Sequence, residues 1–316
     1  METLKPLNRG PATQDRKSRR VRIHYALEPY LFCLPALLIL AIFEYYPMYG
    51  LQIAFRDYIA TQGFFGSEWV GLEHISRFFS SPFFSRVVLN TLRVTFLGLI
   101  IGFPWPIVFA LAINEIDHRR FKRIYQTVSW APHFVSIVVV VSMIFIFTSP
   151  RTGLVNVVLN ALGIETIHFM AEPGWFVPLY IISNIWQHLG WGTVVYLAVL
   201  SQVSPALHES AIIDGATRFQ RVIRINLPHL TPIIVVQIIL AAGRMLQVGF
   251  EKVFLMQTPL NINASEVLST YTYRAGILGG QFSYATGVGL LRSVVSLALI
   301  VTVNAIAKRV RSTSLW

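Results

Sequence analysis

Glu209-Ser-Ala-Ile-Ile-Asp214-Gly215-Ala216-Thr217, running on to Ile225-Asn-Leu227-Pro228, is a polar island between two long apolar stretches. Ser204 followed by Pro205 has the form of an N-cap with proline in the first turn, which predicts a short helix from about 205 toward 213. Asp214-Gly215 breaks it, and Gly215 allows the backbone to bend there without a side-chain clash. Thr217, with Gln220 three residues on, has capping-box spacing and opens a second short helix that Pro228 is expected to end. One reading of residues 201–231 is a helix adsorbed on the membrane, with Arg218, Arg221 and Arg224 on anionic lipid. Adsorption favours one uninterrupted apolar face, and here an acid and a glycine interrupt it. A shaped protein partner is the better fit.

The composition of the rest agrees with a membrane setting. Of 316 residues 54% are hydrophobic and only 13% charged, with a mean hydropathy of +0.57, which is wrong for a soluble globular chain. The net charge of +11 does not trace a nucleic-acid footprint along any element, so no nucleic-acid partner is expected. The basic residues sort by topology instead. The single cysteine, Cys33, excludes an internal disulfide and any multi-cysteine metal site.

The expected fold is all-α and polytopic, with six transmembrane helices and both termini cytoplasmic. Residues 1–27 form a basic tail holding Lys5, Arg9, Arg16, Lys17, Arg19, Arg20 and Arg22, too long and polar for an ordinary signal-peptide start. The first span covers about 28–50 and ends in Tyr45, Tyr46 and Tyr49, which suit an interface. Residues 51–86 make an exterior connection. The core, 87–307, holds five more spans at about 87–113, 126–148, 175–200, 232–250 and 285–307, each near the ~20 residues needed to cross the hydrocarbon. Exterior segments are expected at about 150–174 and 251–284, and 308–316 is a basic cytoplasmic end. Arg119, Arg120, Lys122 and Arg123 in the short loop after span two fix the orientation. They place residues 201–231 on the cytoplasmic side as well.

Catalytic patterns are missing. No lysine follows a glycine, so no phosphate-binding P-loop exists; the eight histidines show no His-x-x-x-His pair, and no Gly-x-Ser-x-Gly elbow occurs. The chain reads as a non-enzyme that binds no cofactor and no metal. Energy for transport would come from an ion gradient or from an ATPase supplied in trans. A gradient-driven secondary transporter needs ionisable groups near mid-bilayer. His188 is the one strong candidate, and its plainest role is a hydrogen bond to a neighbouring helix. A membrane scaffold or receptor that does not transport is a further alternative.

Glutamate, a small residue, alanine, then Asp-Gly-Ala and a basic segment ending in Leu-Pro resembles the EAA loop of bacterial ABC-importer permeases, of the carbohydrate type with an extra first helix. The Thr152-Gly-Leu-Val-Asn156 run resembles sugar permeases too. Phe250-Glu-Lys-Val-Phe-Leu-Met and Gln281-Phe-Ser-Tyr-Ala-Thr-Gly287 are similar to the branch that imports oligosaccharides, including uronic-acid-containing ones. This chain departs from the motif's alanine pair in having Ser210-Ala211, still small. The resemblance implies the type I ABC importer permease fold in a bacterial cell membrane. It also implies a partner set: a second homologous permease, two ATPase subunits that bind ATP and Mg, an extracytoplasmic solute-binding protein, an oligosaccharide substrate and membrane lipid. Glu209, Ser210, Ala211, Asp214, Gly215, Ala216, Leu227 and Pro228 would then dock to the ATPase.

Two sets of residues are candidates for the substrate path. Asn184, Gln187, His188 and Trp191 lie on one face of span four by three-and-four spacing and combine hydrogen-bonding groups with a flat ring, both of which sugars need. Arg93, Arg244 and Arg292 each fall some six or seven residues from the outer end of a span. Each alone could snorkel to the headgroups. Facing inward together at one level, they would favour an anionic substrate.

Overall fold

The computed structural model describes residues 30–311. The basic tail over 1–27 and most of the basic C-terminal end lie outside them. The chain forms two units, Met1–Ile53 and Ala54–Trp316. In the first, helix α1 (Tyr30–Phe55 in its full extent) loosens into a π-turn over Ala41–Tyr45 and 3-10 turns beyond, and its apolar side chains over residues 30–49 are exposed all round. A helix hydrophobic on every side is a membrane span or a buried core helix, and its 26 residues are enough to span.

The second unit starts with the only strands among the described residues, Arg56–Asp57 paired antiparallel with Glu68–Trp69, and a short helix, Glu73–Phe79. The main helices follow: α2 (Phe84–Asn114), α3 (Arg119–Trp130), α4 (Ile137–Phe147), α5 (Phe176–Leu200), α6 (Pro205–Ile213), α7 (Arg218–Gly243), α8 (Phe250–Met256) and α9 (Phe282–Arg311). Four helices, α1, α2, α7 and α9, are long and apolar enough to cross a bilayer. α5 is 25 residues long, but Asn184, Gln187 and His188 in its middle keep its hydropathy below theirs.

Span three differs most from expectation. Instead of one helix over 126–148, Arg119–Phe134 and Ile137–Phe147 meet at 94°. Proline supplies no N–H and disfavours helix in the residue before it. Around Pro132 the chain tightens into a 3-10 turn over Ala131–Phe134, Val135 and Ser136 are extended, and Ser136 restarts the helix by accepting from the Val139 N–H at 3.4 Å. α7 shows the opposite outcome. Pro228 does not end it; a π-turn over Val222–Asn226 precedes the proline, which sits in the first turn of the renewed α-helix where an N–H has no partner to lose.

The core runs along the bundle in three tiers. At the Glu209 end, Ala110, Tyr196, Leu200 and Leu230 join α2, α5 and α7. In the middle, Val140, Val141 and Ile144 of α4 pack with Phe176, Val177 and Ile181 of α5 and with Val253 and Met256 of α8. Thus the segment after span five, expected as an exterior connection, begins inside the bundle. At the far end, Phe78, Val87, Leu268, Tyr284 and Val288 close the structure. Small residues set the closest approaches, as membrane bundles require. A Cβ on Gly190 of α5 would overlap the Ser129 carbonyl of α3, and one on Gly243 would overlap Ile300 of α9.

Gly190→Val should therefore force α3 and α5 apart. Overpacking of about 1–3 kcal/mol is expected to lower the thermal unfolding midpoint in detergent and the yield of monodisperse protein. Gly289→Ala, where nothing lies within 4 Å of the added Cβ, should leave both unchanged.

Candidate functional site

At one end of the bundle, α6 closes in a left-handed glycine. Gly215 has φ +77°, its N–H reaches the Ile212 carbonyl at 3.0 Å, and the Ala216 N–H reaches back to Ala211 at 2.8 Å, the double bond of a Schellman cap. Thr217 then caps the next helix: its Oγ1 accepts from the Gln220 N–H at 3.3 Å, and the Gln220 side chain accepts from the Thr217 N–H at 2.8 Å. Ser204 occupies the N-cap position of α6 but makes no side-chain bond there. Glu209, Ser210, Asp214 and Gly215 are exposed, and so are Leu207, Ile212, Ile213 and Phe219. A rigid corner with acids and bare apolar side chains on its outside suits insertion into a partner's cleft.

The base of this corner is fastened to the end of α2. Asn226, fully buried, donates to the Glu115 carboxylate at 3.1 Å, and Arg218 pairs with Asp117 at 2.9 Å in the open. An exposed pair of this kind contributes little. The buried Asn226 bond is the firmer tie.

The second region surrounds the break in span three. His133, carried by the 3-10 turn, hydrogen-bonds His188 of α5 through the two Nδ1 atoms at 3.1 Å, so one ring donates and the other accepts. The same His133 ring lies flat on Trp191, with centroids 4.7 Å apart and planes 2° from parallel. Gln187, 3% exposed, donates its amide N–H to the Val135 carbonyl at 3.0 Å, while its own Oε1 is buried without a partner. Asn184 is half-buried. Of the predicted face, then, Gln187 and His188 hold the broken span, and Trp191 remains 49% exposed. Trp191 lines a cavity of about 550 Å³ together with Tyr196, Gln237 and Arg244.

The three arginines occupy different settings. Arg93 is exposed on α2 and lines two cavities of about 600 and 490 Å³, the larger shared with Arg86, Asn90 and Met245. Arg244 follows the last residue of α7 and is exposed on the Trp191 cavity. Arg292 is half-buried on α9. Arg244 and Arg292 do not share one level: Gly243, next to Arg244, packs on Ile300, eight residues and so about 12 Å of helix rise beyond Arg292.

Sequence reasoning missed His133 and Lys252. Pro132 in the middle of an apolar run was the available signal for the first. Lys252 stands in the Phe250-Glu-Lys-Val run, but only the packing of α8 against α4 shows that it is buried, at 3% exposure, with Nζ 5.4 Å from the centre of the Tyr180 ring.

Comparison with known proteins bears on all of this. Residues 95–312 match the family described as binding-protein-dependent transport system inner membrane component. Protein LplB of Bacillus subtilis strain 168 is 43% identical over 280 residues, 89% of this chain and 88% of that one. The polygalacturonan/rhamnogalacturonan transport system permease protein YteP of the same organism is 42% identical over 295 residues, 93% and 92% of the two chains. Among solved structures, a chain of a bacterial alginate ABC transporter in complex with an alginate pentasaccharide-bound periplasmic protein superposes with a TM-score of 0.84 at 38% identity, over 95% of this chain and all of that one. The apolar helices, the capped corner and these matches together show that the chain belongs to the family of binding-protein-dependent transport system inner membrane components, as a multi-pass permease of the ABC transporter class.

Proposed function

We propose that this chain is one permease of an ATP-driven importer of acidic oligosaccharides, those containing uronic acids. Its membrane helices are six, with α3 and α4 together as the broken third and α5 as the fourth, and both termini and the α6 corner lie in the cytoplasm. A second homologous permease completes the path, two separate ATPase subunits bind ATP and Mg and do the hydrolysis, and an extracytoplasmic binding protein delivers the sugar. The observation that carries the substrate class is the cavity in which Trp191 and Arg244 meet beside the broken span. A flat ring takes the C–H face of a sugar and a guanidinium grips a carboxylate in bidentate fashion. Broken helices near the middle of the membrane are where transporters place substrate. The names of similar proteins point the same way: polygalacturonan is a polymer of an acidic sugar, and one solved relative serves the import of the acidic polysaccharide alginate.

Coupling would run through the α6 corner. ATP binding closes the ATPase dimer, the exposed carboxylate of Glu209 engages a basic group there, and the corner bounded by Gly215, Ala216 and Leu227-Pro228 moves as a lever. Gly215→Val puts a β-branched residue at φ +77°, a cost of about 1–3 kcal/mol. It and Glu209→Ala should cut sugar uptake by reconstituted complexes at least tenfold while the permease still inserts. Normal uptake and normal sugar-stimulated ATP hydrolysis in both variants would remove the coupling role.

The substrate reading is tested on the intact complex in proteoliposomes. Labelled oligogalacturonate should be taken up in preference to a neutral oligosaccharide of equal length, and Arg244→Gln should erode that preference more than Arg292→Gln, whose side chain does not line the Trp191 cavity. A cysteine placed at 191 should be protected from a thiol reagent by the sugar. Equal uptake of neutral and acidic sugars, with no protection, would leave snorkelling as the role of the arginines.

A further inference from the structure

Lys252 is the one buried cation for which the described residues offer no acceptor. Its Nζ has no hydrogen-bond partner, and the ion pairs of Glu266 with Arg86 and Arg274 leave it out. It projects from α8 onto the Tyr180 ring, within electrostatic reach of His188, in the tier where Val253 and Met256 pack with α4 and α5. An apolar side chain of similar length would fill that place at no electrostatic cost, because removing an ammonium from water is repaid only by a partner anion. Two other orphans lie on elements beside the break in span three: the Gln187 Oε1, which can accept a hydrogen bond from a hydroxyl, and the Trp130 Nε1–H, which can donate a hydrogen bond to one. Unpartnered buried polar groups of both signs around a hinge are what a polar, anionic guest would satisfy.

We infer that Lys252 receives a carboxylate of the substrate in transit, on the Tyr180 side of the Trp191 and His133 stack, away from the Glu209 end, once α4 turns about Val135–Ser136 and opens the tier in which it lies. In the present conformation Lys252 is buried with its Nζ on the Tyr180 ring, and α8, which carries it, packs against α4. The inference rests on the acidic-oligosaccharide reading above and adds a site to it: Arg93 and Arg244 are exposed and line cavities, whereas Lys252 is buried and becomes available only when the bundle opens.

The test separates a functional lysine from a structural one. In the reconstituted complex with its binding protein, Lys252→Met should raise the unfolding midpoint of the permease, because an unpaired charge is removed, and should lower the maximal rate of oligogalacturonate uptake about tenfold or more, the loss expected for a charge-assisted bond. Lys252→Arg should keep most of the rate. A carbodiimide added during turnover should join a carboxylate of the sugar to Lys252 as an amide, seen by mass spectrometry on the peptide carrying residue 252; the other lysines, Lys5, Lys17, Lys122 and Lys308, lie far off in sequence on the predicted cytoplasmic side. Unchanged uptake in Lys252→Met with no adduct in the unmodified protein would overturn the inference and leave the acidic-substrate reading standing. Failure of the unmodified complex to take up oligogalacturonate would instead overturn that reading, and this inference with it.

Discussion

The hydrogen bond from the Gln187 amide to the Val135 carbonyl, 3.0 Å long, is the constraint on which the middle of this structure depends. In lipid no water is available for an exposed peptide group, so an interrupted helix survives only where protein supplies the missing partners. The break in span three frees backbone groups at Val135 and Ser136. The Val135 N–H turns back to Pro132, the Ser136 hydroxyl caps Val139, and the Val135 carbonyl is met by span four. A bond between membrane helices contributes on average only about 0.6 kcal/mol, but leaving the carbonyl bare would cost several times that. The polar centre of α5, which makes that helix a weaker membrane span by composition, is thus what permits the third span to bend.

Once the break exists, its occupants follow. His133 can leave the helix axis and lie flat on Trp191, and its Nδ1 finds the His188 Nδ1. The stack fixes the indole while leaving about half of Trp191 open to the cavity it shares with Arg244. Gly190 allows this by letting Ser129 approach α5 with no Cβ between them. The residues of span four therefore divide although they share one face: Gln187 and His188 bond the broken span, and Trp191 lines the cavity.

What could be read in the sequence followed the range of the interactions. The α6 corner is local. Proline at 205, glycine at 215 and the Thr217–Gln220 box act within a few residues, and the predicted helix, turn and cap all appear. The break at 131–136 had a local trigger in Pro132, but whether a proline bends a span or is absorbed depends on what surrounds it. Pro228 shows the alternative, absorbed behind a π-turn. The burial of Lys252 and the unequal depths of Arg244 and Arg292 were out of reach, because hydropathy along the chain says nothing of a segment that folds back. The run over 251–284 is polar enough to read as an exterior connection, yet it delivers Val253 and Met256 to the central tier.

The α6 corner and the Trp191 cavity are joined by the chain itself. α5 carries Trp191 and leads through residues 201–204 into α6, while α7 begins at the Thr217 cap and ends beside Arg244. The corner is therefore joined to both walls of the Trp191 cavity. It is joined also to α2, through the buried Asn226–Glu115 bond. α4 is the exception: it hangs from the break and touches the corner through no element of its own. It is held by Gln187 at the break and by Val140, Val141 and Ile144 packed on α5 and α8, so a movement of the corner reaches it through α5.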